Sequence, residues 1–306
     1  MDRMAASPGR SDPNDLAQLI APLVRGDGYT ASALDGVTLM TCHREIPRTP
    51  LLYEPGVIAV AQGEKIGHLG DRRIRYGPGS YLVQTLPLPF ECETLATPQQ
   101  PMLGLQVRID PAVLSELVAA SGPDAWPAPQ EEPRPMAAVP MSAGMHEALA
   151  RLLRALHDPL DARVMGRARV REVVFEALKG AQGPALRALV WNQGSYARIV
   201  QALSRMHAAF DQELRVEELA RQANMSVSAF HGHFRAIART SPLQYLKGLR
   251  LIKARLLLSQ HGYNVNQTAA AVGYRSVAQF SRDYKRTFGE TPSRQRARPD
   301  VLEEAS

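Results

Sequence analysis

The chain predicts an α+β protein: an N-terminal antiparallel β-barrel with flanking helices, then an all-α C-terminal domain with two helix-turn-helix motifs joined by a long helix. Three observations carry this. From 36 to 107 short apolar runs alternate with turn residues, the pattern of successive strands. Beyond them a proline-rich stretch gives way to helical periodicity. Near the C-terminus Ser226, Phe230, Phe234, Arg235, Ser241 and Pro242 recur 50 positions on as Ser276, Phe280, Tyr284, Lys285, Thr291 and Pro292. Two copies are too few for a stacked repeat array.

In order along the chain, 1–35 reads as a polar lead with one short helix over 15–24, capped by Asn14. Strands are expected at 37–41, 57–62, 66–69, 72–76, 80–83, 90–94 and 103–108. Leu69-Gly70-Asp71 and Gly77-Pro78-Gly79 supply turns between them. So many short strands in so little chain suggest a small barrel or sandwich. Asp110-Pro111 opens a helix, with Asp110 as cap and Pro111 in the first turn. Prolines 123, 127, 129, 133, 135 and 140 exclude a helix and favour an extended linker over 122–140. Helices resume over 142–157 and 161–181, break at Gly183-Pro184, and run again to Trp191. The domain plan is therefore a lead (1–35), a β-sensor (36–121), a linker (122–140), a helical connector (141–194), a paired helix-turn-helix unit (195–298) and a tail (299–306).

With 306 residues the chain has room for two cored domains, and 45% apolar residues leave little for large disordered regions. Charge is uneven. Residues 195–298 carry 17 Lys/Arg against 6 Asp/Glu, whereas 1–194 carry 19 against 21. A basic domain beside a neutral one points to a polyanion-binding module. Two cysteines, Cys42 and Cys92, make no disulfide framework and no C-x-x-C site. No run of 18 apolar residues and no apolar leader is present, so a cytoplasmic protein with reduced thiols is expected.

Each C-terminal copy reads as a short helix, a tight turn, and a second helix opened by a serine. In the first, Ala220 permits a close crossing, Asn224 suits a turn with positive φ, and Ser226 caps. Phe230 and Phe234, four apart, fix the inner face, which leaves Ser228, His231 and Gly232 outward and Arg235 near the helix end. In the second, Ala269 and Ala270 are placed at the crossing, Gly273 in the turn and Ser276 at the cap. Val277, Ala278, Gln279, Ser281 and Arg282 then face out. Gln and Arg match adenine and guanine edges, and Ala or Val match a thymine methyl. Arg235, Arg275, Lys285 and Arg286 sit at helix ends, where phosphate contact is expected.

The run Val272-Gly273-Tyr274-Arg275-Ser276, with Gln279-Phe280-Ser281-Arg282, Tyr284-Lys285, Phe288-Gly289, Thr291-Pro292 and Arg296, resembles the C-terminal signature of the AraC/XylS transcriptional regulators. Residues 215–234 are similar to their first helix-turn-helix. The resemblance implies one polypeptide with two DNA readers. One departure stands out: Gly232 lies mid-helix, where similar chains carry a polar or basic residue. Tyr53-Glu54-Pro55-Gly56, Val60-Ala61-Gln62-Gly63-Glu64-Lys65 and Tyr76-Gly77-Pro78-Gly79-Ser80-Tyr81-Leu82 look, more loosely, like the N-terminal domain of one such subgroup. That implies a cupin-like barrel whose interior senses a small molecule.

A metal-dependent cupin enzyme is the competing class, but only His43 and His68 fall in the barrel, without an H-x-H pair. A constitutive DNA binder whose barrel only dimerises is the other. Catalytic residues, metal ligands and cofactors are expected to be none. Expected partners are double-stranded DNA, a small-molecule effector, RNA polymerase and a second copy of the chain, and no membrane; the regulation expected is activation. Cys42 and Cys92 read as small apolar residues, with a reactive thiol beside His43 and Arg44 as the rival.

Overall fold

A computed structural model describes residues 14–122, 125–126, 133–191, 194–260 and 263–296. The tail and, within the proline-rich stretch, residues 123–124 and 127–132 lie outside them. Helix α1 (Asn14–Ile20) leads into ten strands: β1 (Gly28–Ala31), β2 (Val37–Cys42), β3 (Ile46–Leu52), β4 (Gly56–Gln62), β5 (Glu64–Leu69), β6 (Arg72–Tyr76), β7 (Ser80–Gln84), β8 (Pro89–Leu95), β9 (Met102–Arg108) and, after helix α2 (Pro111–Ser121), β10 (Met136–Pro140).

The strands do not close into a single barrel. They form a six-stranded sheet, ordered β1-β2-β9-β4-β7-β10, and a four-stranded sheet, ordered β3-β8-β5-β6. Every pairing in both is antiparallel. Strand β8 shows the alternation of a half-covered sheet: Phe90, Cys92 and Thr94 are buried while Glu91 and Glu93 are half-buried. Strand β4 is buried on both faces. Ile58 and Val60 join the interior between the sheets, whereas Val57 and Ala59 lie under α1 and the later helices with Leu16, Ile20 and Leu149.

The expected strands are all present. Three others were not foreseen, and all three lie at sheet edges: β1, β3 and β10. Edge strands tolerate residues that cannot donate to a ladder, and β3 carries Pro47 and Pro50 while β10 ends on Pro140. The linker expected over 122–140 thus gives its last five residues to the sheet, where Ala138 pairs with Leu82. The sheet also begins before 36, at Gly28.

Helices α3 (Ala143–Leu156) and α4 (Pro159–Lys179) form a hairpin over the six-stranded sheet. Their caps follow ordinary chemistry: Ser142 accepts from Met145 N, and Asp158 from the amides of Leu160 and Asp161. After α5 (Gly183–Trp191) come α6 (Gly194–Ala208), α7 (Val216–Gln222), α8 (Val227–Ala238), α9 (Pro242–Gln260), α10 (Val265–Ala271), α11 (Val277–Phe288) and α12 (Pro292–Arg296). One core runs without a break from the sheet interior (Met40, Leu82, Phe90) into the first helical repeat (Ile199, Phe230, Phe234, Leu249). A smaller one holds the second repeat: Leu251, Leu258, Phe280 and Tyr284.

Candidate nucleic-acid interface

In the first repeat α7 and α8 meet at a turn where Asn224 takes φ +50°. Met225 N donates to Ala220 O at 2.9 Å, closing the turn beneath the buried Ala220. Ser226 caps α8 through Ala229 N, and Phe230 and Phe234 are fully buried with ring centroids 5.6 Å apart. The opposite face is open: Ser226, Ser228, His231, Gly232 and Arg235 are all exposed. A Cβ built on Gly232 would meet nothing within 4 Å.

The second repeat copies the first with one insertion. Asn264 and Gln267 close a reciprocal capping box at the start of α10. Gly273 takes φ +76°, and Tyr274 N donates to Ala269 O at 2.9 Å. Ala269 therefore corresponds to Ala220, and Gly273 to Asn224, at an offset of 49; the recognition helices α8 and α11 keep the offset of 50. Arg275 is the extra residue. Expecting Ala270 at the helix crossing was thus wrong: Ala270 is exposed and Ala269 is the buried one. Ser276 caps α11 through Gln279 N. Arg275, Ser276, Val277, Ala278, Gln279, Arg282, Lys285 and Arg286 are exposed, and Ser281 is half-buried. Arg275 pairs with Glu213 and Arg286 with Asp283, at 2.6 and 2.7 Å. Arg235, Arg282 and Lys285 make no ion pair among the described residues, so their charge faces outward uncompensated.

The two repeats touch directly, which sequence reasoning missed. A Cβ on Gly273 would lie 2.3 Å from Asp211 O, so the second turn abuts the loop leading into α7. From α9, Arg250 donates Nε to Phe210 O at 2.6 Å and Nη2 to Gln212 O at 2.7 Å. Lys247, also on α9, pairs at 2.7 Å with the buried Asp283 of α11. The spacing between the heads is thus fixed by α9 together with a bonded seam. The signal was present as basic residues on the inner side of α9, but helical periodicity alone gave them no partner.

The β-region is tied to this unit through buried hydroxyls. Tyr196 and Thr85 share a 2.6 Å hydrogen bond. Tyr245 donates to Pro87 O at 2.7 Å and lies 2.6 Å from Nε2 of His207. Burial lowers the His207 imidazole to about 4, with Lys253 adding to the shift and the Pro87 carbonyl opposing it. A neutral His207 with its proton on Nε2 donates to the Tyr245 oxygen, leaving the tyrosine proton for Pro87.

Cys42 and Cys92 are free and buried. Burial raises the Cys42 thiol, against the lowering expected from Arg44; the thiol instead donates to the Arg44 carbonyl at 3.1 Å. His43 bonds Asp27, and His68 bonds Glu93. Among the described residues no group of three His, Cys, Asp or Glu side chains is placed to hold a metal ion, and no helix is long and apolar enough to cross a membrane.

Comparison with known proteins agrees with this geometry. Residues 33–185 match the family described as the AraC-type transcriptional regulator N-terminus, and residues 219–298 match a helix-turn-helix domain family. The HTH-type transcriptional regulator ExsA of Pseudomonas aeruginosa is 25% identical over 284 residues, 88% of this chain and 96% of that protein. The regulator AlkR of Acinetobacter baylyi is 38% identical over 101 residues, about a third of each chain. Wild-type ToxT of Vibrio cholerae, solved with an unsaturated fatty acid bound, has the same fold at a TM-score of 0.58, covering 92% of this chain and all of that one at 8% identity. The chain belongs to the AraC-type transcriptional regulators, and its function is DNA-binding transcriptional regulation.

Proposed function

We propose that this regulator reads DNA with α8 and α11 in two successive major grooves and that a small molecule bound by its β-region biases that act. The observation that carries the reading is the bonded seam between the heads, in which Gly273 abuts Asp211 and Arg250 spans Phe210 and Gln212. Heads held so rigidly suit half-sites about 34–36 Å apart, or a bent duplex. Gln279 and Arg282 are assigned to base edges, with Val277, Ala278 and Ser281 beside them. Ser228, His231 and Gly232 face bases in the first half-site. Arg235, Arg275, Lys285 and Arg286 are assigned to phosphates, and Ser226 and Ser276 to ordering the helix ends.

In this reading 36–121, extended by β1 and β10, is a cupin-like sensor, 141–194 is the connector, and 195–298 is the reader. Sharing a core across the connector lets effector binding shift the population of DNA-competent arrangements. ToxT's bound fatty acid supports a small-molecule effector. Exposed Leu160, Val164 and Met165 on α4 support a homodimer. The protein is taken to act in the cytoplasm as an activator that meets RNA polymerase, with no catalytic, metal or cofactor site. Footprinting the DNA upstream of its own gene, with and without metabolites, tests this. Two protected patches one helical turn apart that respond to a metabolite support it; a footprint indifferent to a broad metabolite panel removes the effector.

A further inference from the structure

Asp283 lies on the second recognition helix between the outward Arg282 and the inward Tyr284, yet only 7% of its surface is exposed. A carboxylate removed from water needs charged or hydrogen-bonding partners, and three come to this one. Lys247 of α9 reaches Oδ1 at 2.7 Å, and Arg286, one turn on in α11, reaches the same oxygen at 2.7 Å. The Tyr274 hydroxyl, from the turn before α11, donates to Oδ2 at 3.4 Å. Phe280 and Tyr284 hold α11 down by apolar burial, which is non-directional and leaves rotation about the helix axis loosely set. The bond to Lys247 is directional and ties one flank of α11 to the helix between the repeats. Rotation matters to a reader. Turning the helix by about 20° moves a side-chain tip about 6 Å from the axis by about 2 Å, more than a hydrogen bond tolerates.

The first repeat lacks this tie. At the offset of 50 the counterpart of Asp283 is His233, which is exposed and makes no hydrogen bond or ion pair among the described residues. At the offset of 49 the counterpart of Lys247 is Arg198, which donates from Nη1 to Asn224 O in the turn at 3.4 Å and not to α8. We propose that Asp283 is a positioning residue: through Lys247 it sets the rotation of α11 and makes the second half-site the stringently read one, while α8 tolerates base changes in the first. This rests on the two-groove reading above and adds the residue that divides specificity between the heads. Gln279 and Arg282, one turn and one residue before Asp283, are the side chains it aims. The outward Ser228 and Gly232 of α8 are short and gain little from such a constraint.

The test uses the full chain and duplexes that the wild type enriches from a randomised library. The half-site belonging to α11 is the one in which Arg282→Ala relaxes base preference; if it relaxes neither, α11 reads no bases and the proposal falls. The key variant combines Lys247→Met with Asp283→Leu, since replacing a buried ion pair by apolar side chains of similar size costs little stability or none. It should melt close to the wild type and keep the preference shown in the first half-site. In the second, discrimination of about fivefold to a hundredfold per base pair should fall to about threefold or less. Should the double variant melt far lower, Asp283→Asn, which keeps the shape and removes the charge, takes its place with the same readout. Undiminished discrimination in the second half-site overturns the proposal, and so does an equal loss in both, the mark of general loosening. A wild type that enriches no sequence with two preferred patches removes the two-groove reading itself, and the proposal with it.

Discussion

The Tyr245 hydroxyl of α9 donates to the carbonyl oxygen of Pro87, 2.7 Å away and 158 positions earlier in the chain, and so fastens the helix between the DNA-reading heads to the β-region. The same oxygen meets His207 Nε2 at 2.6 Å, and the Tyr245 ring packs edge-on against Phe234 at 5.6 Å. The β-region, the helix between the two repeats and the second helix of the first repeat converge on one residue.

Tyr245→Phe keeps the ring and removes this bond. Pro87 O and His207 Nε2 are then left without it in a buried site, which costs about 1–3 kcal/mol. Urea denaturation should show a lower midpoint with an unchanged slope. An unaltered midpoint would mean the hydroxyl contributes nothing to docking.

His207 makes stability depend on acidity. Its folded value of about 4 lies below the ordinary 6.5, so the unfolded chain binds the proton more readily. Its contribution is fully present above about pH 6.5 and is lost as pH falls toward 4, at up to about 1.4 kcal/mol per pH unit. Below that both states are protonated and the slope from this group ends. Comparing wild type with His207→Gln across pH 4 to 7 isolates it: the substituted protein should be less stable at pH 7 and lose less on acidification. Parallel curves would contradict the assignment.

Gly232 offers a gain. Nothing lies within 4 Å of a Cβ at this position, and its helix should gain about 0.5–1 kcal/mol on replacing glycine with a helix-forming residue. Gly232→Arg should raise the melting temperature and tighten DNA binding by severalfold, read by gel shift. If affinity falls while stability rises, the backbone at 232 itself approaches the DNA.

Arg282 and Lys285, one turn apart on α11, should behave differently. Arg282→Ala should relax preference at particular base pairs, at about 1–3 kcal/mol against the preferred sequence. Lys285→Ala should weaken all sequences alike and reduce the slope of log affinity against log salt by about one. Identical profiles for the two would remove the distinction between base and phosphate contact.

Much of this was legible in the sequence because it is written locally. Ser226 and Ser276 cap the helices they precede, Phe230 and Phe280 face inward, and Asn224 and Gly273 take positive φ. The offset of 50 misled at one point. Arg275 enters after the turn, so the first helices align at 49, and of the two alanines expected at the crossing Ala269 is buried there and Ala270 is exposed. The missed strands lie at edges, where proline and glycine are tolerated and alternation is weak. Contacts such as Tyr245 with Pro87, or Lys247 with Asp283, join distant segments and leave no periodic trace.

The most direct measurement of the central claim is affinity for a footprinted operator before and after inserting five base pairs between its two half-sites, about half a helical turn. Heads locked by Gly273 on Asp211 and by Arg250 across the α6–α7 loop cannot follow half-sites turned to opposite faces of the duplex. The account predicts that affinity falls to the level of a single half-site and that a ten-base-pair insertion fails to restore it. Affinity unchanged by the five-base-pair insertion would contradict a fixed pair of reading heads.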